Sequence, residues 1–106
     1  MVNAEIVNII KSYLNELSDK GITISKAYLF GSHINNSANE NSDIDLMLIS
    51  PLFDVEIDKY LPAIWLSSIR TDNRIEPITI GEARFRTDDS SPIIAVVKQE
   101  GVEIAA

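Results

Sequence analysis

The sequence predicts an α/β (α+β) fold, built as one domain over residues 1–106. Two observations carry this. Stretches with apolar residues at three- and four-residue spacing alternate with short, almost continuous apolar runs. The strongest of those runs, Ala27-Tyr28-Leu29-Phe30, is apolar on both of its alternating faces, as befits an interior strand covered on both sides, or on one side by protein and at its end by ligand. At 106 residues the chain has room for one modest core and no second domain.

Residues 3–20 read as an amphipathic helix, with Ile6, Ile9, Ile10, Tyr13, Leu14 and Leu17 on one face. Asn3 is placed to cap it and Gly21 to stop it. A strand follows over 22–30 and ends at Gly31. Residues 33–42 are polar and rich in Asn and Ser, giving a short helical turn and then a loop. The second strand spans 43–49, and Ser50-Pro51 closes it. Residues 54–70 are helical in pattern, with Pro62 inside. An interior proline costs about 3 kcal/mol in a helix, which predicts a kink or break near Leu61. Tyr60 and Trp65 read as core. After the turn Thr71-Asp72-Asn73, residues 74–80 form a third strand. Pro77 lacks a donor and directs that strand to a sheet edge or a bulge. Residues 81–85 form a helical turn and 86–90 a loop. Ser91-Pro92 starts a last helix, which Gly101 stops, and 102–104 is a final short strand.

Composition narrows the chemistry. There is no cysteine, which removes disulfides and thiolate metal sites and is compatible with a reducing cytoplasm, the expected location. The N-terminus has no signal-peptide pattern, and no run approaches the roughly 20 apolar residues of a membrane span. The net charge is −7 and the basic residues are scattered, so neither a nucleic acid nor a membrane is expected as a partner.

The chemistry gathers in Leu29–Ile49. Gly31-Ser32 ends an apolar run, and ten residues later Asp43-Ile44-Asp45 opens the next. Alternation along a strand turns Asp43 and Asp45 to one face, about 7 Å apart along the backbone. Two such carboxylates repel unless a cation lies between them, and Mg²⁺ is held by one or two carboxylates together with substrate phosphates. Gly31 lets backbone approach a phosphate closely, Ser32 adds a hydroxyl, and a helix starting there would add free N–H groups. The phosphate turn and metal carboxylates together form a site for a metal–nucleoside triphosphate. Glu76 is the candidate third carboxylate and general base, completing a cluster for two metal ions if the third strand lies beside the second. His33 reads as a solvated loop histidine, and Arg74 and Arg84 as solvated surface arginines.

Gly-Ser, ten residues, then Asp-x-Asp on a strand resembles the signature of the DNA polymerase beta-like nucleotidyltransferase superfamily. Gly31, Ser32, Asp43 and Asp45 match it position by position. The small size, the order of elements, Arg74-Ile75-Glu76-Pro77 and Gly101-Val102-Glu103-Ile104 resemble the stand-alone minimal nucleotidyltransferases, many of which act as antitoxins beside HEPN-type toxins. The resemblance implies a small mixed sheet with helices packed mainly on one face. It also implies dependence on Mg²⁺ and transfer of a nucleotidyl group, AMP from ATP, to a tyrosine of a HEPN-type protein partner. Two departures stand out: His33 and Ile34 follow Gly-Ser where many active members carry Arg and Ala, and Glu76 stands where Asp is commoner. They leave open a non-catalytic module that neutralises its partner by occlusion. Small-molecule nucleotidyl transfer is a third reading, and it would call on a homo-oligomer to hold the acceptor.

Overall fold

The computed structural model describes residues 2–35 and 37–105. Asn36, within the expected 33–42 loop, lies outside them, as do Met1 and Ala106. Four strands form one mixed sheet: β1 (Lys26–Phe30), β2 (Ile44–Ser50), β3 (Ile75–Gly81) and β4 (Val102–Glu103). Their order is β3-β2-β1-β4. β1 runs antiparallel to both β2 and β4, and β2 runs parallel to β3. Pro77 therefore lies on an edge strand, where its missing donor costs no interior ladder bond.

The helices are α1 (Ala4–Asp19), α2 (Leu52–Val55), α3 (Ile57–Thr71), α4 (Glu82–Thr87) and α5 (Pro92–Glu100). The two longest, α1 and α3, cover one face of the sheet. There Ile10, Tyr13, Leu17 and Ile64 pack over Leu29, Ile44, Leu46 and Leu48. The shorter α4 and α5 cover part of the other face, where Phe85, Ile94 and Val97 meet Phe30, Met47, Ile49 and Ile80. Alternation along β2 explains both layers: even positions from Ile44 to Leu48 face α1 and α3, and odd positions face α5.

Local chemistry fixes the helix ends. The Asn3 side chain accepts from the N–H of Glu5 at 2.7 Å. At the far end Gly21 has φ +80°, and the N–H groups of Gly21 and Ile22 reach back to the carbonyls of Ser18 and Leu17, both at 2.9 Å. This is the glycine-terminated stop in which the residue after the glycine, here buried Ile22, packs on the helix's last apolar turn. Because Ile22–Ser25 serve that stop and the connection after it, β1 begins at Lys26 rather than at 22. Ser91 caps α5 through the N–H of Ile94 at 3.3 Å, with Pro92 at the first helical position.

The long helix departs from expectation twice. It runs unbroken through Pro62, and the interruption falls earlier, at Glu56 (φ −136°, ψ 52°), separating α2 from α3. Pro62 lies in the second turn on the exposed side, so the backbone carbonyl it deprives of a donor stays within reach of water. Trp65 is not core: it is 44% exposed, beside Leu66 at 53% and Ile69 at 62%. The buried positions of α3 are Ile64, Ser67 and Ser68.

Candidate functional site

The sheet register assembles the site at one end of β1, β2 and β3. Phe30 pairs with Asp45 across the antiparallel β1–β2 ladder, so Gly31 emerges directly beside Asp45. Gly31 has φ +82°, a conformation that side chains rarely adopt, and a Cβ there would overlap the Asp45 carboxylate oxygen Oδ2. The backbone conformation favours glycine, and any larger residue would also displace the Asp45 carboxylate. A single 3₁₀ turn, Gly31–His33, follows in place of an α-helix start, closed by the N–H of Ile34 on the Gly31 carbonyl at 3.2 Å. Ser32 sits within that turn, half-buried.

Asp43 lies one residue before β2 and is exposed, whereas Asp45 is half-buried. Desolvation raises the Asp45 carboxyl above its ordinary value, and the like charge of Asp43 adds to this, while His33 opposes it. Neither aspartate has an ion-pair partner among the described residues. This is the condition a hard cation relieves, and the donor set is all oxygen, so these residues fit Mg²⁺.

Glu76 is the register partner of Asp45 on β3, on the same face of the sheet, and it is exposed. The three carboxylates do not converge further. Among the described residues, no group of three or more His, Asp or Glu stands together as a ready-made cage. Asp43 and Asp45 interact directly, and Glu76 sits one strand away.

Two residues differ from expectation. Arg74 is not a solvated surface arginine. Its guanidinium is held in a fork by Asp72, with Nε to Oδ1 at 3.0 Å and Nη2 to Oδ2 at 2.8 Å, and the two side chains are only 22% and 17% exposed. This bonding holds the Asp72 carboxyl below its ordinary value. His33 is half-buried, and its Nε2 lies 3.3 Å from the carbonyl oxygen of Ser42. The sequence signal for the first was an acid and a base two positions apart across a turn, Asp72-Asn73-Arg74. Beside the Gly31-Ser32 turn opens a cavity of about 530 Å³, bordered by Asn3, Glu5, Ser32, His33, Asn39 and Arg74. Its volume is in the range of small-ligand pockets, and it meets the site at Ser32 and His33 while Asp43, Asp45 and Glu76 lie outside its lining.

A mixed sheet that carries Gly-Ser at the end of one strand and paired aspartates on the next defines a nucleotidyltransferase-like domain. The comparisons agree. The polymerase beta nucleotidyltransferase family matches residues 8–81, a span that holds Gly31, Ser32, Asp43, Asp45 and Glu76, and the chain belongs to that family. The fold is similar to the crystal structure of a candidate nucleotidyltransferase from Sulfolobus solfataricus. The TM-score is 0.61 at 15% identity, covering 93% of this chain and 78% of that one. No curated protein sequence matches. No helix among the described residues is long and apolar enough to cross a membrane.

Proposed function

We propose that the chain is a Mg²⁺-dependent nucleotidyltransferase that moves AMP from ATP to a hydroxyl of a protein partner. The observation that supports this reading is the close approach of Gly31 to the Asp45 carboxylate, which sets the Gly-Ser turn beside the aspartate pair. Asp43 and Asp45 would hold the metal, with Glu76 level with Asp45 to complete the set. A bound Mg²⁺ would neutralise the phosphate charge and favour departure of pyrophosphate. Ser32 and the Gly31 backbone would seat the terminal phosphates. Glu76 would take the proton from the attacking hydroxyl. That oxygen bonds to the α-phosphorus as the bond from phosphorus to the bridging oxygen breaks, and pyrophosphate leaves.

A protein acceptor is supported by α3, whose Pro62, Trp65, Leu66 and Ile69 form one exposed apolar stripe at helical spacing. Contiguous exposed apolar surface of this kind marks interaction sites. The resemblance to minimal nucleotidyltransferases makes a HEPN-type toxin the partner to try first, with a tyrosine as acceptor, in a cytoplasmic setting.

The test is transfer of label from α-labelled ATP to the co-expressed partner in the presence of Mg²⁺. Wild type should label it, and Asp43→Asn/Asp45→Asn should reduce labelling by at least 10³-fold (~4 kcal/mol of barrier). Undiminished labelling by the double variant defeats the reading. The same stripe on α3, with His33 following Gly-Ser, favours a second reading, neutralisation by occlusion. In that case the double variant still silences its partner.

A further inference from the structure

His33 and Arg74 both reach the turn that delivers Asp43. Residues 39–42 form a compact turn of their own. The N–H of Ser42 reaches the Asn39 carbonyl at 3.1 Å, the N–H of Asn39 reaches Ser42 Oγ at 2.9 Å, and the N–H of Asn41 reaches Asn39 Oδ1 at 2.8 Å. A unit bonded so locally holds its own shape but not its place on the sheet.

Its place is fixed from two sides. Arg74, already locked in the Asp72 fork, donates from Nη1 to the Glu40 carbonyl at 3.1 Å. His33 donates from Nε2 to the Ser42 carbonyl at 3.3 Å. A carbonyl only accepts, so this bond puts the ring proton on Nε2. The backbone carbonyl of Arg74 also accepts from the N–H of Ile44 at 2.8 Å.

Asp43 therefore sits between two pinned peptide groups. The one before it is held by the His33 ring and the one after it by the Arg74 backbone. Asp43 is exposed and precedes the first ladder residue of β2, so these ties supply what the strand does not.

We propose that His33 and Arg74 are positioning residues for Asp43, tying the 39–42 turn to the Gly-Ser turn and to the start of β3 so that the Asp43 carboxylate stays beside Asp45 for a divalent cation. The inference rests on the metal-site reading above. It gives the histidine after Gly-Ser a task that does not involve phosphate, and it gives the Asp72–Arg74 pair a task in the site. Partners that orient a metal ligand are typically worth 10- to 100-fold in metal affinity.

The test is titration of the full chain with Mn²⁺ alone, followed by paramagnetic resonance of the free ion, with circular dichroism to confirm folding. Wild type should bind, and Asp43→Asn should weaken binding sharply. His33→Ala and Arg74→Ala should each weaken it about 10-fold. His33→Gln, whose amide N–H can still reach the Ser42 carbonyl, should recover most of the loss. Where Arg74→Ala does not fold, Arg74→Lys keeps a donor for Glu40 but loses the fork, and an intermediate affinity is expected. Alanine variants, or Arg74→Lys in that case, binding as wild type does would overturn the inference and leave the metal site standing. A glutamine variant no better than His33→Ala would overturn the role of His33. Failure of wild type to bind Mn²⁺ would remove the metal site itself, and this inference with it.

Discussion

α1 and α3 lie side by side on one face of the sheet, and their sequences carry the same kind of apolar periodicity. α1 buries its stripe: Ile6, Ile10, Tyr13, Leu14 and Leu17 all face inward. α3 buries only Ile64 and two serines and turns Trp65, Leu66 and Ile69 outward. The difference lies in the seam between them, which is polar. Tyr13 donates its hydroxyl to the Ile64 carbonyl at 2.9 Å, Lys20 Nζ reaches Ser67 Oγ at 2.5 Å, and Thr71 donates to Glu16 at 3.0 Å. Small, hydroxyl-bearing residues let α3 sit against α1 while its bulkiest side chains face away. Periodicity identifies an apolar face; it does not say whether this chain or another covers it.

Four measurements break or sharpen that contrast. The largest effect belongs to α1. Ile10→Ala should cost about 2–5 kcal/mol in a denaturant titration, because it opens a cavity under both helices. Tyr13→Phe comes next, at about 1 kcal/mol, since it removes the hydroxyl that donates to the Ile64 carbonyl. Burial holds the Tyr13 hydroxyl well above its ordinary ionisation range, so it remains a donor at every working pH.

The seam should also loosen in acid. The Thr71 hydroxyl, followed by Lys20 and Arg70, holds the Glu16 carboxyl below its ordinary 4.5. A depressed carboxylate stabilises the fold above its unfolded value and loses that contribution as pH falls through the folded one. Thermal melts should therefore show wild type losing its advantage over Glu16→Gln from about pH 4.5 downward. The smallest effect belongs to the outer face of α3. Leu66→Lys should move stability by no more than about 0.5 kcal/mol, yet it should abolish capture of the proposed protein partner. A large loss of stability instead would place Leu66 in this chain's own core and remove the support for a docking face.

Much of the site was legible in the sequence because it is local. Gly31-Ser32 and Asp43-x-Asp45 sit at strand ends, where alternation and a turn fix their directions before any tertiary contact forms. The element order was legible for the same reason, including the glycine stop after α1 and the Ser91-Pro92 start of α5. Non-local contacts were hidden. Nothing in the run of α3 says which of its apolar sides meets α1, and the buried serines there act through partners a helix away. The fork between Asp72 and Arg74 is short in sequence, but its further reach to Glu40 depends on β3 lying beside β2. The loss of the expected break at Pro62 has a similar cause: the proline's cost falls on a carbonyl that stays near water, and only the folded chain reveals that.

The parallel pairing of β2 with β3 bears on how the molecule assembles. β1 and β2 can pair early, and they bring Gly31 to Asp45. Glu76 comes level with Asp45 only after α2 and α3 have crossed over and β3 has docked, a pairing between segments far apart in the chain. Such non-local pairings form late, because the loop between them must close before any contact rewards it. A half-folded chain would thus carry the phosphate turn and the aspartates without their third member. A ligand that needs all three would bind the finished fold alone and stabilise it by mass action, by about 2.7 kcal/mol at a hundred times its Kd. Such a ligand would guard finished chains against reopening without hastening their folding, because it meets no complete site until β3 has docked.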